Sequence, residues 1–114
     1  MRTAIGASHS EFDEIVRRIV EVAQPERVLV FGSAARDTAG PHSDLDFLVV
    51  KTGRYNARKV AGLIYQRMRG IARPIDLVIV TPQQVKENRN SPFSVLCPAL
   101  REGRVVYERK EALA

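Results

Sequence analysis

Val28-Leu29-Val30-Phe31-Gly32-Ser33-Ala34-Ala35-Arg36, followed after a polar loop by Ser43-Asp44-Leu45-Asp46-Phe47-Leu48-Val49-Val50, is the stretch that decides how this chain folds. Val28 to Phe31 is a short apolar run rich in β-branched residues, bounded by Pro25 and Gly32, which reads as a buried strand. Gly32 to Ser43 is polar, with Gly40-Pro41 as turn punctuation. Leu45 to Val50 is a second strand pattern, interrupted only by Asp46. Two strands joined by such a loop run antiparallel if they are neighbours.

Working outward, Ser8 and Glu11 have the spacing of a capping box, and Phe12, Ile15, Val16, Ile19, Val20 and Ala23 recur on one helical face. Pro25 ends that helix. On the other side, Ala57, Val60, Ala61, Ile64 and Met68 fit a helix from about Arg54 to Arg69, stopped by Gly70. It is long enough to be a crossover, so the strand at Ile75-Asp76-Leu77-Val78-Ile79-Val80 runs parallel to the second one. Thr81-Pro82 with Gln84 starts a third helix. Ser91-Pro92 starts a fourth, kinked at Pro98 and ended by Gly103, and Val105-Val106-Tyr107 adds a short edge strand. The expectation is an α/β fold: a single small domain over residues 1–114, core about 10–108, with a mixed sheet of three to four strands flanked by helices.

The chemistry concentrates in three carboxylates. Asp is depleted in strands and is rarely buried unless paired or metal-bound, yet Asp44, Asp46 and Asp76 sit in or beside apolar strands. Residues i and i+2 of a strand share a face, so Asp44 and Asp46 project side by side, roughly 6.5–7 Å apart at the backbone. One carboxylate can then bridge two metal ions about 3.5–4 Å apart while the others complete their shells. Hard oxygen donors favour two Mg²⁺ ions, with Mn²⁺ as the alternative, over Zn²⁺. The topology brings Asp76 to the same sheet edge. Gly32-Ser33, at the end of the first strand, offers amides and a hydroxyl to a phosphate tail. Arg36 reaches either a phosphate or one of Asp37 and Asp44. Asp44 alone, after Ser43, also suits a capping or turn residue.

Taken together, Gly32-Ser33-Ala34-Ala35-Arg36 and Ser43-Asp44-Leu45-Asp46-Phe47-Leu48-Val49-Val50, twelve residues from Gly32 to Asp44, resemble the signature of the DNA polymerase beta-like nucleotidyltransferase superfamily. Within it the chain is most similar to the minimal nucleotidyltransferase group, from about Phe12 to Glu108. The resemblance implies the nucleotidyltransferase fold and Mg²⁺-dependent transfer of a nucleoside monophosphate, AMP from ATP, to a hydroxyl. It implies Asp44, Asp46 and Asp76 as catalytic metal ligands, Asp76 also helping to deprotonate the acceptor. Gly32, Ser33, Arg36 and Ser43 would bind the nucleotide. One departure stands out: Asp37 occupies the position that is often Gly after the motif arginine. The group's usual companion is a HEPN-type helical toxin, which the nucleotidyltransferase modifies as antitoxin.

Composition sets the remaining bounds. The 114 residues leave no room for a second substrate-gripping domain, so the acceptor must dock from outside. One cysteine, Cys97, precludes an internal disulfide. No apolar run approaches the ~20 residues that cross a bilayer, and no signal-peptide pattern is present, so the expected location is cytoplasmic. The net charge of +5 favours acidic partners or phosphates, or is simply a solvated basic surface. Two rival functions follow: a non-catalytic nucleotide-binding or neutralising partner acting by complex formation, and a basic nucleic-acid-binding module. Self-association into a homo-oligomer stays open, as do a base-stacking role for Tyr55, Tyr65 and Tyr107 and an assisting role for His42.

Overall fold

The computed structural model describes residues 7–31, 44–88 and 102–109, with side chains from residue 11 onwards. The first helix, α1, spans Ala7–Ala23. It turns Ile15, Ile19 and Ala23 into the core, at 0%, 0% and 1% exposure, as their four-residue spacing requires. It includes Ala7, one residue before the start expected at Ser8. The helix ends where Gln24 takes a left-handed conformation, φ 47°, its N–H donating to Val20 O at 2.8 Å. Pro25 follows, buried.

Four strands form one mixed sheet: β1 Arg27–Phe31, β2 Leu45–Val50, β3 Ile75–Val80 and β4 Arg104–Glu108, in the order β3-β2-β1-β4. β1 and β2 are antiparallel, β2 and β3 are parallel, and β4 adds antiparallel to β1 with a bulge between Val28 and Leu29. This is the expected fold, at the upper end of the expected strand number.

The two-residue period divides the sheet cleanly. Val28, Val30, Leu45, Phe47 and Val49 face α1 and the second helix, with Phe12 meeting Phe47 at a ring-centroid distance of 5.9 Å. Leu29, Leu48, Val50 and Val80 face the other way, against Val85. Asp44, Asp46 and Asp76 share the parity of that second face.

The second helix, α2, spans Ala57–Gln66, with Asn56 as its cap: Asn56 Oδ1 accepts from Lys59 N at 3.1 Å. It stops short of Arg69 because Arg67 N bonds to Ile64 O at 2.9 Å, an i→i−3 contact that tightens and ends the last turn. Gly70, at φ 86°, carries the chain into the turn before β3. The third helix, α3 (Pro82–Asn88), opens with the expected capping box: Gln84 N donates to Thr81 Oγ1 at 3.1 Å, and Thr81 N to Gln84 Oε1 at 2.9 Å. The helix expected from Ser91 lies outside the described residues.

Candidate active site

β2 and β3 both begin at the sheet edge where β1 ends, and both carry an aspartate at their second position. The alignment is set by the backbone. Leu45 N donates to Pro74 O at 3.0 Å, which locks the start of β3 beside the start of β2. Asp46 and Asp76 are then register partners, and Phe31 is the partner of Asp46 on the other side. In a parallel pair, register partners project to the same face. Asp76 therefore lies beside Asp46 and not across the sheet from it.

The electrostatics agree with this geometry. The Asp46 carboxyl is pushed above its ordinary range, first by partial burial, then by the charge of Asp76 and a hydrogen bond shared with it, and last by the charge of Asp44. Asp44 is exposed immediately before β2, and Asp76 is exposed on the edge strand. Three acids from two chain segments thus converge on one edge, where Asp76 and Asp44 make it harder for Asp46 to ionise.

Such a cluster is unfavourable by itself and favourable around a divalent cation, which offsets the mutual repulsion with hard oxygen donors. The donor set fits Mg²⁺ or Mn²⁺ and offers no imidazole or thiolate. Among the described residues no group of three or more His, Cys, Asp or Glu side chains is arranged to hold a metal ion by itself. The arrangement suits an open site, in which substrate oxygens and water fill positions the protein leaves free. Gly32, Ser33, Arg36 and Ser43, expected around the phosphates, and also Asp37, His42 and Cys97, lie outside the described residues.

Two features escaped sequence reasoning. Tyr65 Oη accepts from Leu77 N at 3.2 Å, satisfying an N–H on the open edge of β3 one residue beyond Asp76. Arg18 reaches from α1 to Arg67 O and Arg69 O, both at 2.8 Å, fixing the turn that leads into β3. Both contacts join residues far apart in the chain, and no local pattern announces them. Tyr55, Tyr65 and Tyr107 do not form one platform: Tyr55 precedes α2, Tyr65 lies on it, and Tyr107 packs against the core from β4, at the end of the sheet away from β3. A cleft of about 420 Å³ lined by Arg54, Tyr55, Thr81 and Gln84 lies at the opposite sheet edge, where β2 and β3 end. It contains no carboxylate and is separate from the acid cluster.

A small mixed α/β sheet with clustered aspartates at the start of two parallel strands, and with Gly32-Ser33 following the first strand in the sequence, fits the nucleotidyl-transfer class. The chain belongs to the nucleotidyltransferase domain family, whose profile matches residues 9–95.

Solved structures share the fold. A Sulfolobus solfataricus protein classed as a nucleotidyltransferase superposes with a TM-score of 0.58 at 22% identity, over 95% of this chain and 94% of that one. A toxin–antitoxin complex with AMP-PNP gives 0.60 at 15% identity, over 86% and 74%. The spectinomycin adenyltransferase AAD(9) from Enterococcus faecialis, with ATP and spectinomycin, gives 0.59 at 19% identity, over 91% and 56%. No curated protein matches this sequence closely enough to count as a relative. The resemblance to a minimal nucleotidyltransferase is thereby borne out. No helix among the described residues is long and apolar enough to cross a membrane.

Proposed function

We propose that this chain is a divalent-cation-dependent adenylyltransferase that moves AMP from ATP to a hydroxyl of a partner protein, a HEPN-type toxin, in the cytoplasm. The observation that carries the reading is the in-register placement of Asp76 beside Asp46, with Asp44 close enough to raise the Asp46 carboxyl.

Asp44, Asp46 and Asp76 would hold two Mg²⁺ ions, which neutralise charge at the α-phosphate and activate the attacking oxygen. Asp46, with Asp76 beside it in register and Asp44 two residues before it, would be the central ligand. Asp76, exposed on the edge strand, has room to accept the proton of the incoming hydroxyl while it ligates. Gly32, Ser33, Arg36 and Ser43 would grip the triphosphate and orient it in line. A bond forms between the acceptor oxygen and the α-phosphorus, the bond from that phosphorus to the bridging oxygen breaks, and pyrophosphate leaves. The protein contributes chiefly by positioning.

The family supports nucleotidyl transfer. AMP-PNP in one fold neighbour and ATP in another support adenine, and the toxin–antitoxin neighbour supports a protein acceptor. The test is incubation of the purified chain with its cognate partner, Mg²⁺ and α-labelled ATP, read by intact mass. A gain of one or more AMP units on the partner, absent for Asp46→Asn, is expected. An unmodified partner with every NTP, in a complex that still forms, would leave neutralisation by contact as the function.

A further inference from the structure

Charge is distributed unevenly in this molecule. Between Asp46 and Asp76 there is no acidic residue at all, while the same stretch holds seven Lys and Arg, more than the chain's whole net charge of +5. Five of them, Arg54, Arg58, Lys59, Arg67 and Arg69, are exposed on α2 and its flanking turns. Among the described residues none of these five side chains meets a carboxylate. α1 is the contrast: Arg17 pairs with Glu14 and Glu21, and Arg18 with Glu14.

A merely solvated helix face does not require this pattern. Arg58 and Lys59 lie in the first turn of α2, which contains no acid, and there they oppose the positive end of the helix dipole. Gly62, mid-helix, weakens α2, and a Cβ there would meet nothing within 4 Å. Counting about 100° per residue from buried Ile64, Gly62 and Gln66 form the middle of the solvent face. Arg58 and Tyr65 line one flank, Lys59 and Leu63 the other, and Arg69 follows in the turn beyond the helix. Tyr65 is 45% exposed, with its hydroxyl held against β3.

This surface suits one kind of partner. A protein interface wants a contiguous apolar centre with a polar rim. Here the two exposed apolar side chains, Leu63 and Tyr65, sit on opposite flanks with a bare glycine between them. Guanidinium groups spaced along a helix, with an exposed ring beside them, match a chain of phosphates with stackable bases. Arg58 to Gln66 covers roughly 12 Å of helix rise, and the turn that carries Arg67 and Arg69 leads through Gly70 to the edge that carries Asp76.

We infer that the exposed face of α2 is a docking surface for single-stranded nucleic acid, held by Arg58, Lys59 and Arg69 through phosphates and by Tyr65 through stacking. This goes beyond nucleotidyl transfer and does not depend on it.

The test uses fluorescence anisotropy of the full chain with a fluorescein-labelled 15-mer oligouridylate between 50 and 250 mM KCl. Wild type is expected to bind with a steep salt dependence. The triple variant Arg58→Gln, Lys59→Gln, Arg69→Gln should bind about tenfold or more weakly at low salt. Its slope of log K against log salt should flatten by roughly two units, at about 0.7 per phosphate contact. Arg17→Gln, on paired α1, should bind as wild type. Arg58→Gln and Lys59→Gln remove charges that oppose the helix dipole, and all three side chains are exposed, so the melting temperature of the triple variant should not fall, and a circular dichroism melt checks that. No binding at 50 mM KCl overturns the inference, as does wild-type affinity in the triple variant. So does an oligoglutamate peptide displacing the RNA at equal charge concentration.

Discussion

Asp46 and Asp76 are register partners on parallel strands β2 and β3, so two acids that thirty residues separate in the chain meet side by side. With Asp44 nearby, the folded protein holds the Asp46 proton more tightly than the unfolded chain does. A carboxyl whose folded pKa is raised contributes stability that is full below its unfolded pKa, near 3.8, and is lost as pH rises through the folded value. At neutral pH the metal-free cluster therefore costs stability. Asp76→Asn removes one of the repelling charges and keeps the shape. In EDTA at pH 7.5 it should melt higher than wild type, by roughly 2–6 °C for a domain of this size. The gap should close on titration below pH 4. Thermal melts at both pH values decide it: a wild type as stable as the variant at pH 7.5 contradicts the account.

The same acids should report divalent cations. Ligand that binds only the folded state stabilises it by about 2.7 kcal/mol at a hundredfold excess over Kd. MgCl₂ with ATP is therefore expected to raise the wild-type melting temperature and reverse the order seen in EDTA. Asp46→Asn, which removes the central ligand, should show little or no rise. Its transfer rate should fall on the order of 10³-fold, as several kcal/mol of charge stabilisation are lost. Equal Mg²⁺–ATP shifts in the two proteins would place the cation elsewhere.

How far the sequence alone reaches is visible in these residues. Asp46 and Asp76 were legible because an acid inside an apolar strand run is costly and therefore conspicuous. Their meeting was legible because a crossover helix makes β2 and β3 parallel. The capping box of α3 and the stop at Pro25 were also local patterns. What was not legible is tertiary or depends on a fraction of a turn. Tyr65 capping the β3 edge and Arg18 bridging to the 67–69 turn each join residues no periodicity connects. The end of α2 at Gln66 is set by the bond from Arg67 N to Ile64 O, while the apolar spacing ran on to Met68.

Glu14 on α1 is held by Arg17 and Arg18, whose hydrogen bonds lower its pKa to about 2. Its folded value is below its unfolded one, so it contributes stability above pH 4.5 that is lost as pH falls through about 2. The group is surface-lying, and solvent screening limits the effect to about 0.5–1 kcal/mol. Glu14→Gln should lower stability by that amount at pH 7 and by nothing at pH 2. Arg18 also anchors the turn leading to β3, so the loss should include faster amide exchange at Gly70 and Ile71. Urea melts at the two pH values, with exchange measured at pH 7, check both.

Phe47 is wholly buried at the middle of β2, touching Phe12 across the α1 face. It lies next to Asp46 and so fixes the strand on which the acid sits. Phe47→Ala should cost about 3–5 kcal/mol, a large share of the stability of a domain this small. Phe47→Leu should cost far less and retain Mg²⁺–ATP stabilisation, which separates a folding loss from a site loss. A Phe47→Ala protein with a wild-type urea midpoint would mean that this face is not the core.

Gln24 is the one described non-glycine residue with positive φ, 47°, where α1 gives way to buried Pro25. An L side chain in the left-handed region costs roughly 1–2 kcal/mol, and glycine avoids that cost while keeping the N–H that bonds to Val20 O. Part of the gain is offset because glycine also frees the unfolded chain, by about 0.4–1 kcal/mol. Gln24→Gly should therefore stabilise by roughly 0.5 kcal/mol net, and Gln24→Val, β-branched and intolerant of positive φ, should destabilise by more than that. The ordering Gly above Gln above Val in urea midpoint, with unchanged m-values, is the expected result. A Gln24→Val midpoint equal to wild type would show that α1 ends by some other geometry.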